Sequence, residues 1–193
     1  MTNPVETFDA STAVLEDISG DYSIDPAHTR LGFVARHAMV TKVRGAFTEV
    51  SGTAHVDTVD PSRSSVSIAI VANSITTGQQ QRDDHLRSGD FLDSEQYPEI
   101  TFVSTSVDRD GDEWTIAGDL TIMGLTQPVT VPFEFTGSAK DPFGNVRIGF
   151  EGAAAIYRKD WGLTWNAALE SGGVLVSDKV MLEFDVSAIK GGA

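Results

Sequence analysis

From about Asp21 onwards, apolar and polar side chains alternate over segment after segment, and this period of two limits the fold more than any other feature of the chain. In TRLGFVARHA, Leu31, Phe33, Ala35 and His37 share one face while Arg30, Val34 and Arg36 share the other. In FTEVSGTAHVD, Val50, Ala54 and Val56 oppose Glu49, His55 and Asp57. The pattern recurs at Val66, Ile68 and Ile70, and at Ile100 and Phe102. It recurs again from Trp114 to Ile122, from Val129 to Phe135, from Val146 to Ile156, and from Val180 to Val186. A run of roughly eight such strands, each with one dry face, predicts an all-β antiparallel barrel or sandwich.

Turn chemistry supports the spacing. Met123-Gly124-Leu125-Thr126 reads as a two-residue hairpin with Gly at the first central position, a type II′ turn. Asp141-Pro142-Phe143-Gly144 reads as a second turn. Pro132 has no N–H to give a ladder, so a bulge or an unpaired edge is expected there. Small residues on dry faces (Ala35, Gly52, Ala54, Gly118, Gly152, Ala154) favour a barrel with internal space, and eight strands leave room for one small ligand.

Residues 1–19 form an acidic extension in which Ala13-Val14-Leu15 is the only short apolar run; residues 20–193 form the barrel domain. The extension has no basic n-region and no apolar core, so the reading is cytoplasmic and without membrane insertion. With 28 acidic against 14 basic residues, the net charge of −14 repels nucleic acid and anionic lipid at long range. A local basic spot can still hold a phosphate. There are no cysteines, which excludes disulfides and thiol catalysis.

The alternation breaks at QQQRDDHLRSGDFLD, where Arg82, His85 and Leu86 share one side of a short helix. This run is either a solvated connector or a wall over something hollow. As a catalytic base, His85 would need Asp83 or Asp84 as its orienter. Neighbouring helical residues point about 100° apart, so neither reaches the ring readily. The four histidines are dispersed, and no metal site or cofactor is expected. His37, at the end of an apolar row, is expected to point inward. Trp161 and Trp165 in IYRKDWGLTWNAAL either plug a barrel end or line a pocket mouth.

The segments YSIDPAHTRLGFVARHAMVTKVRGAF, NSITTGQQQRDDHLRSGDFLDSEQYPEITF, GDLTIMGLTQPVTVPFEF and YRKDWGL together resemble the YceI family, over about Asp21 to Ile189. The resemblance implies a lipocalin-like barrel with an inserted helix. It also implies a homodimer that holds a long-chain amphiphile, such as a polyisoprenoid, isoprenoid quinone or fatty amide, without catalysis. Export to the periplasm, common among relatives, does not carry over to this N-terminus. On this sequence, Phe33, Phe47, Leu86, Phe91, Phe102, Phe150, Trp161 and Trp165 are expected to line the pocket. Phe47 does so only if a bulge intervenes, because it shares the parity of Glu49 and His55. His37, Arg82, His85 and Arg158 are the candidates for the polar head. The alternatives are an enzyme acting on a similar amphiphile with His85 or His37 as general base, and a closed, ligand-free barrel with a stress or interaction role.

Overall fold

A computed structural model describes residues 18–191. The alternating segments form strands β1 (Gly20–Ile24), β2 (Arg30–His37), β3 (Thr41–Phe47), β4 (Val50–Val56), β5 (Ser65–Val71) and β6 (Ile75–Thr76). After helix α1 (Gln80–Arg87) come β7 (Glu99–Asp110), β8 (Glu113–Ile122), β9 (Leu125–Lys140), β10 (Val146–Tyr157) and β11 (Lys179–Lys190). Every pairing is antiparallel.

Three walls of the barrel are interrupted strands. β1 and β2 lie end to end along β11, with Ile24 opposite Ala188 and Arg30 opposite Asp185. β4 and β3 line up against them, and β5 and β6 line up against β4 and β3. The ring then runs through β7, β8, β9 and β10 back to β11, giving a closed eight-stranded antiparallel barrel with one short helix, the first of the two architectures that the alternation allows. Closure leaves only short stretches of sheet edge, along β3 and β6 and at the end of β10.

The interruptions decide which way side chains face. Phe47 pairs with Leu31 on the inner face, and the chain then passes through Thr48 and Glu49 before β4 begins at the buried Val50. Ser74 holds that break: its Oγ accepts the N–H groups of Thr48 (3.2 Å) and Glu49 (3.1 Å). A register shift between Ser104 and Ser106 in β7 likewise moves the inner face from Phe102 to Val107.

Two expectations about local geometry need correction. The β8–β9 hairpin pairs Ile122 with Leu125, so its central residues are Met123 and Gly124, with φ of +50° and +73°. Positive φ at both makes it a type I′ turn, not II′, with Gly at the second position; I′ matches the twist of the strands. His37 is exposed, not inward, because it is the last β2 pair before the hairpin and forms a bridge to Val176 at the barrel rim.

Pro132 sits where two strands part. Pairing of β9 with β10 ends at Phe133–Gly152, and the rest of β10 pairs only with β11. Segment 158–163 fills this seam, with Trp161 buried and its Nε1–H donated to the Leu120 carbonyl at 2.9 Å. Trp161 is thus a plug in the wall. The barrel core divides into an apolar cluster near α1, including Phe91, Leu120 and Trp161, and a second at the opposite end around Ile18, Tyr22 and Trp114.

The end away from α1 is tied by Arg147, which bonds Asp25 in the β1–β2 loop and, through Nε at 2.9 Å, Asp141 in the β9–β10 turn. Asp141 also accepts the Asn145 side chain (3.0 Å) and the N–H groups of Asn145 and Phe143 (both 2.9 Å). The Asn145 side chain leads these bonds, which hold its carboxyl down at about 2. Its folded pKa lies below the unfolded value, so its stabilisation is complete above about pH 4 and is lost as pH falls through about 2. Asp141→Asn should therefore melt below wild type at neutral pH, with the gap closing between about pH 4 and about pH 2 in thermal unfolding followed by circular dichroism.

Candidate ligand-binding site

The barrel encloses a cavity of about 300 Å³, at the lower end of the roughly 300–1,000 Å³ usual for small-molecule pockets. Its wall is almost wholly aliphatic and aromatic. It runs from Ile24, Val56 and Trp114 at one end, past Phe133 and Phe184 at mid-height, to Leu86, Phe91 and Leu163 beside α1. Polar residues line it only near its ends, at Thr29, His55, Ser64 and Ser65 on one side and Arg158 on the other.

Glycines opposite aromatic rings keep this space open. A Cβ at Gly45 would come within 2.3 Å of the Phe33 ring, one at Gly118 within 2.4 Å of Phe102, and one at Gly152 within 2.6 Å of Phe133. Each ring therefore occupies the space that a side chain would take on the neighbouring strand. The small inner residues do not themselves form the void; they let large ones lie back against the wall.

The break in alternation at residues 79–93 is a wall element. Gln79 caps α1, its side-chain oxygen accepting the Arg82 N–H at 3.0 Å. The buried Asp83 accepts Thr77 Oγ1–H (2.5 Å), Thr77 N–H (2.8 Å) and Thr76 Oγ1–H (3.2 Å). Burial alone would raise its carboxyl, but these bonds outweigh it and leave the pKa below the ordinary value. Arg87 donates to the carbonyls of Ile75 (2.8 Å) and Asn73 (2.9 Å). These bonds fasten α1 to β6 and its approach, and turn Leu86 into the cavity.

Of the residues singled out from sequence, Phe33, Phe47, Leu86, Phe91, Phe102, Phe150 and Arg158 line the cavity. His37, Arg82, His85, Trp161 and Trp165 do not. Arg82 donates to Thr77 through Oγ1 (2.7 Å) and the carbonyl (3.1 Å). His85 pairs with Asp90 at 2.9 Å, and its ring stands edge-on to Trp165 (4.6 Å) and Phe91 (5.1 Å), so the three rings back the cavity wall.

Arg158 is 4% exposed and donates to four carbonyls: Leu163 (2.6 Å), Trp165 (2.9 Å), Ser177 (3.0 Å) and Val176 (3.4 Å). Burial lowers its pKa, with Asp178 pulling the other way. It stitches the segment after β10 to the approach of β11. Three lining rings were not among the sequence candidates: Trp114, Phe133 and Phe184. Their inward parity was the available signal.

Comparison with known proteins agrees with this architecture. The YceI-like domain matches residues 22–188. The chain belongs to the YceI family. Protein YceI of Escherichia coli O157:H7 is 40% identical over 158 residues, 81% of each chain. Its Salmonella newport counterpart is 38% identical over 149 residues, 76% of this chain and 78% of that one.

Solved structures share the fold of this YceI-family barrel. Burkholderia cenocepacia BcnA superposes with a TM-score of 0.75 at 24% identity, covering 85% of this chain and 98% of that one. The Campylobacter jejuni YCEI protein gives 0.70 at 27% identity, covering 81% and 90%. A polyisoprenoid binding domain from Saccharophagus degradans gives 0.67 at 17% identity, covering 88% and 98%.

The glycine–ring pairs yield a direct test. Gly118→Ala would place a Cβ 2.4 Å from the Phe102 ring and 2.6 Å from the Val103 carbonyl oxygen. It should cost about 1–3 kcal/mol in urea unfolding and push Phe102 into the cavity, visible as a smaller void in a crystal structure of the variant.

Proposed function

We propose that this chain binds a long-chain amphiphile in its barrel, a polyisoprenoid, isoprenoid quinone or fatty amide, and carries or sequesters it without chemical change. The observation that carries this reading is the apolar continuity of the cavity wall, from Trp114 to Leu86, with polar residues only near its ends. Membership of the YceI family and the likeness to a polyisoprenoid binding domain support a lipid-binding role over catalysis.

The energetics favour chain burial. About ten methylenes at roughly 0.8 kcal/mol each contribute about 8 kcal/mol, comparable to the estimated 4–15 kcal/mol cost of association. The polar head would lie at the Thr29–Ser64 end of the cavity, because the Arg158 guanidinium at the other end is taken up by four carbonyls. An enzyme reading gains no particular support: the acid beside His85 is Asp90, and neither lines the cavity.

Native mass spectrometry of gently purified protein, followed by organic extraction, tests the reading and reports the homodimer the family resemblance implies. A stoichiometric long-chain adduct is expected. Ala35→Trp, placing an indole in the cavity wall, should keep the fold and weaken amphiphile binding by about tenfold or more. An adduct retained equally by the Ala35→Trp variant would mean that the ligand is not held in the cavity, and a wild-type barrel that refuses isoprenoids, quinones and fatty amides alike would favour the closed-barrel alternative.

A further inference from the structure

The β2–β3 hairpin carries an exposed apolar tip. Met39 is 54% and Val40 74% exposed, although both are large apolar residues. Ala38 and Met39 have φ of +50° and +59°, a conformation that L-residues other than glycine seldom adopt. Two backbone bonds hold it: Ala38 N–H to the Leu175 carbonyl (2.7 Å) and Val40 N–H to the His37 carbonyl (3.0 Å). The tip is thus presented in a fixed form, at the same barrel end as α1, Leu86 and Phe91.

Cations flank it. Arg36 pairs with Lys42 across the hairpin, and Arg44 pairs with Val34, whose partner on the other side is Met181. Lys179, two residues along β11 from Met181, continues this outer row. Among the described residues none of the four has an ion-pair partner, and the Arg36 guanidinium donates to the Val40 carbonyl at 3.3 Å. The neighbouring loop adds Val174, 41% exposed, and two acids, Glu170 and Asp178, the second taken up by the Lys159 N–H at 3.2 Å.

The opposite end provides a contrast. Val59 and Phe143 are even more exposed, at 93% and 89%, but they stand at the end that carries Asp57, Asp60, Asp110, Asp112, Glu113 and Asp141. At physiological salt the screening length is about 8 Å, so charges far from the tip, which make up most of the net −14, act on it only weakly.

We propose that the β2–β3 hairpin tip docks on an anionic phospholipid surface, with Met39 and Val40 entering the headgroup layer and Arg36, Lys42, Arg44 and Lys179 facing phosphates. Apolar side chains combined with cations are the pairing that interfacial binding uses. Docking there would bring the α1 end of the cavity to the membrane, where an amphiphile is exchanged. That purpose rests on the lipid-binding reading; the docking itself does not.

Co-sedimentation of the full chain with vesicles tests it. Binding is expected to an equal mixture of phosphatidylcholine and phosphatidylglycerol, with little to phosphatidylcholine alone, and to weaken at high salt. Lys42→Glu with Arg44→Glu, and separately Met39→Ser with Val40→Ser, should each lower partitioning by at least about tenfold with an unchanged melting profile. Phe143→Ser should leave it intact. Absent or charge-independent vesicle binding, or loss on Phe143→Ser alone, overturns the proposal. So does a hairpin variant that only converts a dimer to a monomer, which would make the tip a contact between copies. Uptake of a fatty amide delivered from organic solvent is measured separately, so a failure of docking is distinguishable from a failure of the cavity to bind.

Discussion

Everything in this molecule depends on the double pairing of β11. One edge of that strand follows β10 for its whole length, and the other is shared by β1 and β2. The sheet can close only because β1 and β2 run in the same direction along one neighbour, separated by the loop at residues 25–29. Once closed, most strands satisfy their ladders on both sides over much of their length, and one face of each must point inward. An inward face of Val, Ile, Leu and Phe then becomes a dry interior without further instruction.

Polar groups in the walls are spent on the backbone and on each other, which keeps the interior dry. Arg158 is held by four carbonyls and Asp83 by three donors. Ser74 occupies the break between β3 and β4. A buried polar group without partners would cost about 1–3 kcal/mol and would draw water into the space. Trp114 Nε1 is the exception among the described residues: it is buried with no hydrogen-bond partner, while its ring packs against Phe150 and beneath the Arg109 guanidinium at 5.2 Å.

The strands and the inner rows were legible in the sequence because period-two alternation is a local property. Phe33, Phe102 and Phe150 follow directly from it. Features set by contacts distant in sequence were not legible. Phe47 lines the cavity because the chain breaks at Thr48 and Glu49, and the residue that holds that break is Ser74, 26 positions away from Thr48. The roles of Trp161 and Arg158 depend on a seam between β9 and β10 that Pro132 only hinted at. His85 and Arg82 looked like candidates for chemistry because charge was concentrated there. Their partners, Asp90 and Thr77, make them fasteners of a wall.

The glycines set opposite rings have a consequence for how such a barrel can change over generations. Its bore is a property of residue pairs: 33 with 45, 102 with 118, and 133 with 152. Adding one methyl group at the small member displaces the large one, and shrinking the large member alone leaves a niche that nothing occupies. A lineage that alters the calibre of the lumen must therefore change both members of a pair together. Each pair would be inherited as a single unit of ligand size.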